Sequence, residues 1–282
     1  MVTDFDTNNT EIERKGLSTA ESGLLSSLAE RGLNIFTLSD VTTDLNVPYK
    51  NAKVIVNRLV KKKWLIPLMR GRYLIVPLEA GVKGEYTEHE FVIASHLADP
   101  YYIGYWSALS YYGFTEQVPM TVFIVTPKRL KDRTILNTRY RFTALIERKF
   151  FGFKKESISD TRVNISDKEK TLADCLDHPE HCGGTGEIAK SLWNARDEVS
   201  IEKIIDYALK MGNSAILKRL GFLLELLEID VSDRLITQIR EHLKKGFVSL
   251  DPLEETRGHY STRWRLLANV SEDRILEWRR GY

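Results

Sequence analysis

Cysteine is scarce in this sequence, and long apolar runs do not occur in it. Its 282 residues include two cysteines, Cys175 and Cys182, which are too few for a disulfide framework and fit a reducing compartment. There is no stretch of about 18 apolar residues, so the sequence predicts no transmembrane helix. Residues 1–6 are acidic and polar, unlike the start of a signal peptide. We therefore expect a soluble, cytoplasmic protein.

The signatures of common enzyme classes are missing as well. The sequence has no Gly-x-Ser-x-Gly elbow and no His-Glu-x-x-His. Gly212-Asn213-Ser214 resembles the start of a nucleotidyltransferase motif, but the converging carboxylates that two-metal catalysis needs do not follow it. Gly183-Gly184-Thr185-Gly186 lacks the lysine of a phosphate-binding loop, so we interpret it as a helix start. We predict a protein that is not an enzyme and has no cofactor; an unrecognised nuclease or transferase accessory is the alternative.

Acidic residues are absent between Asp44 and Glu79, whereas eight basic residues occur there. These are Lys50, Lys53, Arg58, Lys61, Lys62, Lys63, Arg70 and Arg72. Such a local excess of positive charge is typical of a surface that binds the phosphates of nucleic acid. The alternative is an ordinary solvated face.

The order of predicted elements indicates an α+β fold with two main parts. Residues 1–17 are interpreted as a flexible lead-in and 18–80 as a winged helix-turn-helix domain. A glycine-containing connection at 79–84 then leads into a C-terminal domain at 85–282. Its first part, 85–165, is predicted to be mixed α/β, with Thr121–Thr126 as a central buried strand. Its second part, 166–282, is predicted to be mainly helical, with helices near 167–177, 184–196, 200–210, 213–229 and 232–244.

The winged helix is predicted from three helices followed by a two-stranded hairpin. Capping-box spacing at Ser18 and Glu21, and again at Thr37 and Asp40, marks the first two helix starts. Pro48 suits the first position of a third helix, which we expect to run to about Lys63. Strands are predicted at 64–67 and 73–77, with a tight turn at 69–72 between them. This is the layout of a winged helix-turn-helix.

The third predicted helix has an apolar face and a polar, basic one. Ala52, Ile55, Val56 and Leu59 follow helical spacing and are predicted to face the core. We predict that DNA is bound by the opposite face and by the wing, through Tyr49, Lys50, Lys53, Val54, Asn57, Arg58, Lys61, Arg70 and Arg72. Lysine suits guanine edges or phosphates, asparagine suits adenine, and a small apolar side chain suits the thymine methyl group. The alternative is that the winged helix binds another protein.

A second basic region spans 128–155, where ten lysines and arginines stand against Asp132 and Glu147. Three interpretations stay open: further phosphate contacts, an acidic protein partner, or simple solvation. The additional phosphate contacts would come from Lys128, Arg129, Lys131 and Arg133.

One cluster has the residue types of a metal site. Cys175, His178, His181 and Cys182 are four zinc-type ligands within eight residues. Structural zinc sites usually join ligand pairs across a longer loop, and Pro179 interrupts any single helical face here. We therefore predict no metal and interpret the segment as a helix end followed by a turn.

Three blocks of the sequence resemble the AbiEi antitoxins, which are transcriptional regulators of viral defence (abortive infection) systems. The longest is 101–129, which reads YYIGYWSALSYYGFTEQVPMTVFIVTPKR. The other two are 166–184, containing Ser-Asp-Lys-Glu-Lys-Thr-Leu-Ala-Asp, and 220–225, reading Leu-Gly-Phe-Leu-Leu-Glu. A winged helix ahead of these blocks is the usual order in that family, and the resemblance covers about 18–245.

The resemblance implies an antitoxin that represses its own operon. Its N-terminal domain would bind inverted-repeat operator DNA, with two copies per operator. Its C-terminal domain would neutralise a cognate AbiEii-like toxin that has a nucleotidyltransferase-like fold. The alternative is a winged-helix regulator that responds to a small ligand or another protein and has no toxin partner.

Overall fold

The computed structural model describes residues 14–81, 83, 86 and 88–280. They form two compact units, divided between His89 and Glu90. Both units mix helices with small sheets, so the predicted α+β class is confirmed. Within the described residues, the helices are all too short or too polar to span a bilayer.

The first unit contains three helices and a three-stranded sheet. In chain order they are α1 (Thr19–Glu30), β1 (Ile35–Thr37), α2 (Leu38–Leu45), α3 (Tyr49–Lys61), β2 (Leu65–Met69) and β3 (Arg72–Ile75). The sheet order is β1-β3-β2, and every pairing is antiparallel. The helices and the β2–β3 hairpin match the predicted winged helix-turn-helix. The strand β1 was not predicted, because three residues are too few to show an alternating pattern.

Local signals fix the helix ends of this unit. Both predicted capping boxes form, at Ser18 with Glu21 and at Thr37 with Asp40. Asn46 ends α2 in the left-handed region (φ 49°), a conformation that asparagine tolerates better than most residues. The predicted limits of α3 were slightly wrong. Pro48 is the residue before the helix rather than its first residue, and the helix ends at Lys61 because Lys63 turns the chain with φ 62°.

The core of the first unit is built on one face of each helix. Ala52, Val56 and Leu59 of α3 are completely buried, and Leu24 and Leu28 of α1 belong to the same apolar cluster. Ile55 lies at the edge of this cluster and is partly exposed. Full burial of a side chain the size of Val56 or Leu59 contributes about 1.5–3 kcal/mol to stability. The orientation of α3 about its axis is therefore strongly determined.

Residues 14–17, the last part of the predicted lead-in, contact the wing. The Arg14 guanidinium donates to the carbonyl oxygens of Val76 and Pro77 at 2.9 and 2.8 Å, and it lies 4.3 Å from the Trp64 ring centre. The Trp64 indole N–H donates to the Lys15 carbonyl at 2.9 Å. The rest of the lead-in, 1–13, lies outside the described residues.

The second unit begins with a six-stranded mixed sheet. Its elements up to residue 166 are α4 (Glu90–Ser95), β4 (Tyr102–Ile103), α5 (Tyr105–Tyr111), β5 (Thr121–Thr126), β6 (Arg133–Ile135), β7 (Thr138–Ala144), β8 (Phe153–Ile158) and β9 (Thr161–Ser166). The strand order is β6-β7-β5-β4-β9-β8. As predicted, β5 is central and almost wholly buried. The edge strand β8 was missed because it carries Lys154 and Lys155, the kind of charge that protects an exposed sheet edge.

The remainder of the second unit is mainly helical, as predicted. Its elements are α6 (Lys168–Asp177), α7 (Thr185–Ala195), α8 (Ile201–Met211), α9 (Ser214–Leu226), α10 (Asp233–Glu241), β10 (Val248–Ser249), β11 (His259–Ser261), β12 (Leu266–Ala268) and α11 (Glu272–Ile275). Short β10 and β11 pair with β12, parallel and antiparallel respectively. One apolar core joins α5, β5 and α6–α9 and includes the fully buried Trp264.

A buried ion pair and a tyrosine hydroxyl form a polar group inside this core, which was not foreseen. Lys170 and Asp174, one turn apart on α6, are both fully buried and form an ion pair. The Tyr102 hydroxyl donates to Asp174 at 2.9 Å and accepts from Lys170 at 3.1 Å. Burial raises the pKa of Tyr102 well above its ordinary value, and the neighbouring Asp174 adds to the effect. Because each polar group has a partner, the charges are tolerated in the core.

Replacement of glycine by alanine should have opposite effects at two helical positions, because the space around them differs. A Cβ at Gly221 on α9 would overlap the Trp264 ring, whereas around a Cβ at Gly23 on α1 no described heavy atom lies within 4 Å. We expect Gly221→Ala to destabilise the second unit by about 3 kcal/mol through overpacking. We expect Gly23→Ala to stabilise the first unit by about 1 kcal/mol through helix propensity.

Calorimetry combined with hydrogen exchange of peptides from 214–226 and 19–30 measures both effects. A Gly221→Ala protein as stable as the wild type would contradict the packing described for Trp264.

Candidate nucleic-acid interface

The outer face of α3 brings the predicted DNA-binding residues of this helix together. Tyr49, Lys50, Lys53, Val54, Asn57, Arg58 and Lys61 are all exposed. Lys50, Val54, Asn57 and Lys61 follow at intervals of four, three and four, which places them in one row along the helix. Val54 keeps 44% of its surface exposed, although it is apolar. A row of lysine, valine and asparagine on a solvent-facing helix has the donors and the methyl groups that bases in the major groove can bind.

The beginning of α3 suits an anion. The helix has no acidic residue in its first turn, and no side chain caps its N-terminus at Pro48. The N-terminus of a helix carries partial positive charge from its unpaired N–H groups. Tyr49, Lys50 and Asn51 are exposed there. Asn51, which was not among the predicted residues, lies on the flank of the basic face at this end of the helix.

The wing places its two arginines on either side of a glycine turn. Gly71 has φ 78°, a conformation that other residues rarely adopt. Its carbonyl accepts from the Leu38 backbone N–H at 3.1 Å, which ties the tip of the wing to the start of α2. Arg70 is exposed and Arg72 is half-buried in β3, so Arg70 is the more accessible of the two.

An ion pair between α1 and the end of α3 fixes the position of this face. The Lys62 ammonium lies 2.5 Å from a Glu21 carboxylate oxygen, and Glu21 also accepts from the Ser18 N–H at 2.8 Å. The hydrogen bond from Lys62 is the main reason that the pKa of Glu21 is lowered. Lys62 therefore has a structural partner, although it belongs to the basic run of the sequence. The capping box was visible in the sequence, but its partner 41 residues later was not.

The charges of the second basic region divide into two groups. Lys128, Arg129 and Lys131 are exposed in the loop between β5 and β6, and Arg133 is exposed in β6. The Lys128 ammonium donates to the Asp99 carbonyl. Other members form ion pairs within the unit, such as Lys149 with Asp177, Arg139 with Asp132 and Lys154 with Glu156. The four predicted phosphate-contact residues thus lie close together in sequence and on the surface.

The two cysteines and the two histidines of the sequence cluster form separate groups in the structure. Cys175 and Cys182 are fully buried, and burial together with the neighbouring Cys175 raises the pKa of Cys182 well above its ordinary value. A thiolate is the form that binds metal, so this environment disfavours Cys182 as a ligand. His178 and His181 instead come together with Glu180.

Two other sequence candidates have structural roles. The glycine segment at 183–186 starts α7, and the Asp251 carboxylate accepts from the Thr185 backbone N–H at 2.6 Å. The protein's own carboxylate thus occupies the position that an anion would take. Gly212 ends α8 in the left-handed region and Asn213 caps α9, with its amide donating to Asp177 at 2.6 Å. This segment is a junction between two helices.

A groove in the first unit is lined mainly by apolar side chains. It has a volume of about 370 Å³ and lies between α1 and the residues that follow β3, with Leu25, Trp64 and Val76 in its wall. Volumes of this order are typical of small-molecule sites.

Comparison with known proteins points to one family and one fold. Residues 24–76 match the family model described as transcriptional regulator, AbiEi antitoxin. This match confirms the resemblance to AbiEi-family regulators for the winged helix; the blocks at 101–129, 166–184 and 220–225 lie outside it. Among curated proteins, none matches the chain.

A solved structure has a similar fold over nearly the whole chain. It is the crystal structure of RV2827C protein from Mycobacterium tuberculosis, which is 14% identical with a TM-score of 0.67. The similarity covers 95% of this chain and 96% of that one. At this level of identity the similarity concerns the fold alone.

The Glu21–Lys62 pair predicts a pH-dependent contribution to stability. We expect Glu21→Gln to lower the free energy of unfolding of the first unit by about 2 kcal/mol at pH 7, the value of a charge-assisted hydrogen bond in a sheltered position. Because the folded pKa of Glu21 is lowered, this contribution is fully present above the ordinary glutamate pKa of 4.5 and is lost as the pH falls through the folded pKa.

Urea titrations followed by hydrogen exchange of peptides from α1 and α3 test this, with the exposed Glu30→Gln on the same helix as control. A deficit of equal size at pH 7 and pH 3 would show that the charge of Glu21 is not responsible.

Proposed function

We propose, from the match of residues 24–76 to AbiEi antitoxin regulators, that this chain is an autorepressor that binds operator DNA through α3 and the wing. One observation carries the proposal: the solvent-facing side of α3 presents lysine, asparagine, arginine and valine without an acidic residue. The packing of the opposite side determines that this face is outward. A helix of this composition fits the major groove.

The residues of the face divide into two roles. Asn57 and Val54 lie in the middle of the row, where short side chains suit contact with base edges. Lys53, Arg58 and Lys61 are long and flexible, and we assign them to phosphates on either side of the groove, with Arg70 and Arg72 reaching the backbone or minor groove from the wing. An inverted-repeat operator presents the same contacts twice, so two copies bind per operator.

We further propose that the second unit neutralises a cognate AbiEii-like toxin with a nucleotidyltransferase-like fold. This part of the proposal rests on the family resemblance and not on a particular surface of the unit. The exposed residues Lys128, Arg129, Lys131 and Arg133 are assigned to additional phosphate contacts of the same regulator.

A second candidate function is a winged-helix regulator that responds to a small ligand and has no toxin partner. The observation in its favour is the groove of about 370 Å³ in the first unit, which is large enough for a small apolar molecule.

Two single substitutions on α3 should affect DNA binding in different ways. Asn57→Ala should weaken binding to the operator by about 1–3 kcal/mol and hardly change binding to a scrambled duplex, because it removes a base contact. Lys53→Ala should weaken binding to both duplexes, because it removes a phosphate contact. It should also reduce the slope of log K against log salt concentration by about one. Fluorescence anisotropy with the duplex upstream of the gene, at several salt concentrations, measures both.

Lys245→Ala, an exposed lysine of the second unit, is the charge-matched control and should bind like the wild type. Charge reversal at Lys128, Arg129, Lys131 and Arg133 should reduce the salt dependence in the same titration. Equal and weak binding of the wild type to both duplexes would refute operator recognition by α3.

Toxin binding should be separable from DNA binding. The Lys50→Ala, Asn57→Ala, Arg72→Ala triple variant should lose operator binding yet still co-elute with the nucleotidyltransferase-like product of a neighbouring gene and protect cells from it. Size-exclusion chromatography of the co-expressed proteins and a growth assay provide the measurements. Failure of both the wild type and the variant to bind or protect would favour the ligand-responsive regulator.

A further inference from the structure

The turn after α6 brings two histidines to the same side of the chain. Residues Pro179–His181 form a single turn of 3₁₀-helix, and in this helix side chains three residues apart nearly eclipse each other. His178 and His181 are three residues apart, and their rings stack with centres 5.6 Å apart and planes 18° apart. The Arg219 guanidinium donates to the Leu176 carbonyl at 2.7 Å, which holds the end of α6 just before this turn.

Glu180 completes a set of three side chains. One potential ligand atom from each of His178, Glu180 and His181 lies within 4.8 Å of the other two. The Nδ1 atom of His178 is 2.9 Å from a Glu180 carboxylate oxygen, and its Nε2 atom is 3.5 Å from a carboxylate oxygen of the buried Asp177. His178 therefore lies between two carboxylates.

His181 is the buried member of the set. It is only 9% exposed, and its Nδ1 atom has no hydrogen-bond partner among the described residues. Its ring packs edge-on against Tyr105 and beside Phe123, with centres 4.9 and 5.6 Å apart. A buried imidazole nitrogen that has no hydrogen-bond partner is an atom that a bound metal ion would satisfy.

We propose that His178, Glu180 and His181 bind a divalent first-row transition metal, of which zinc is the representative. Two imidazoles and one carboxylate are a known zinc ligand set, and imidazole also suits nickel and copper. Three protein ligands leave the fourth position for water or for a side chain of a partner. Asp177 would then accept from the other ring nitrogen of His178, the usual carboxylate partner of a metal-bound histidine.

This proposal departs from the sequence analysis, which considered Cys175, His178, His181 and Cys182 together and predicted no metal. The two cysteines are fully buried, whereas Glu180 and His178 are partly exposed and accessible to an ion from solvent. Zinc ligands in a tetrahedral site lie roughly 3.4 Å apart, for bonds of about 2.1 Å. His178 and Glu180 are already close enough to share an ion, so their partly exposed side chains move toward the buried His181 on binding.

The charges around the turn both favour and oppose a cation. Asp177 and Glu180 are negative, but Lys149 is paired with Asp177 at 2.5 Å. The Arg141 guanidinium lies 5.9 Å from the centre of the Phe123 ring, and that ring packs beside His181. The positive charge of Arg141 repels a cation at the site. Removal of this charge should therefore strengthen metal binding, whereas loss of a ligand should weaken it.

The test is a zinc titration of the full chain without a polyhistidine tag, in competition with a chromophoric chelator. We expect one zinc ion per chain. Glu180→Gln and His178→Gln should each weaken binding at least about tenfold, and Arg141→Gln should tighten it several-fold. His259→Gln, an exposed histidine on β11, should bind like the wild type.

Thermal unfolding provides a second measurement that also checks folding. Zinc should raise the Tm of the wild type and of His259→Gln but not that of Glu180→Gln, because an ion that binds only the folded chain stabilises it. Glu180→Gln keeps the size of the side chain, so its Tm without zinc should equal that of the wild type. Zinc binding that is absent in the wild type, or equal in the wild type, Glu180→Gln and His178→Gln, would overturn the proposal. Because these residues belong to the second unit, DNA binding through α3 is unaffected by either outcome.

Discussion

The side of α3 that faces solvent is determined by three residues on its other side. Ala52, Val56 and Leu59 are completely buried. Because the helix has 3.6 residues per turn, the residues on its opposite side must then face solvent. The face that we propose for DNA binding is thus a consequence of core packing. The ion pair of Lys62 with Glu21 adds a second restraint at the end of the helix, so that both the rotation and the position of α3 are fixed before any ligand binds.

Strong local signals made much of the fold predictable from the sequence. Two capping boxes, the stripe at 52–59 and the apolar run Thr121–Thr126 each specify an element through near neighbours alone. The strands β1 and β8 escaped prediction for different reasons: one is three residues long, and the other has the lysines of a sheet edge. The strand β1 is held by β3, which is distant in the sequence, whereas β8 forms a hairpin with the adjacent β9.

The candidate site was predictable to the same extent and for the same reason. Exposure of Lys50, Asn57 and their neighbours follows from helical periodicity. The pairing of Lys62 with Glu21 depends on tertiary structure. The separation of His178 and His181 from the two nearby cysteines depends on it as well. Sequence spacing identified the residue types at 175–182 but not which of them share a surface, because a buried helix end and a half-exposed turn meet within those eight positions.

The contact between Gly221 and Trp264 also has an evolutionary consequence. The indole ring occupies the space that any side chain at position 221 would need, and the tryptophan is 99% buried. Position 221 cannot change alone, because a larger residue there becomes acceptable only after the ring at 264 has been replaced by something smaller. Within this lineage the two sites are therefore expected to change as a pair, joining a helix and a strand region that lie more than 40 positions apart in the chain.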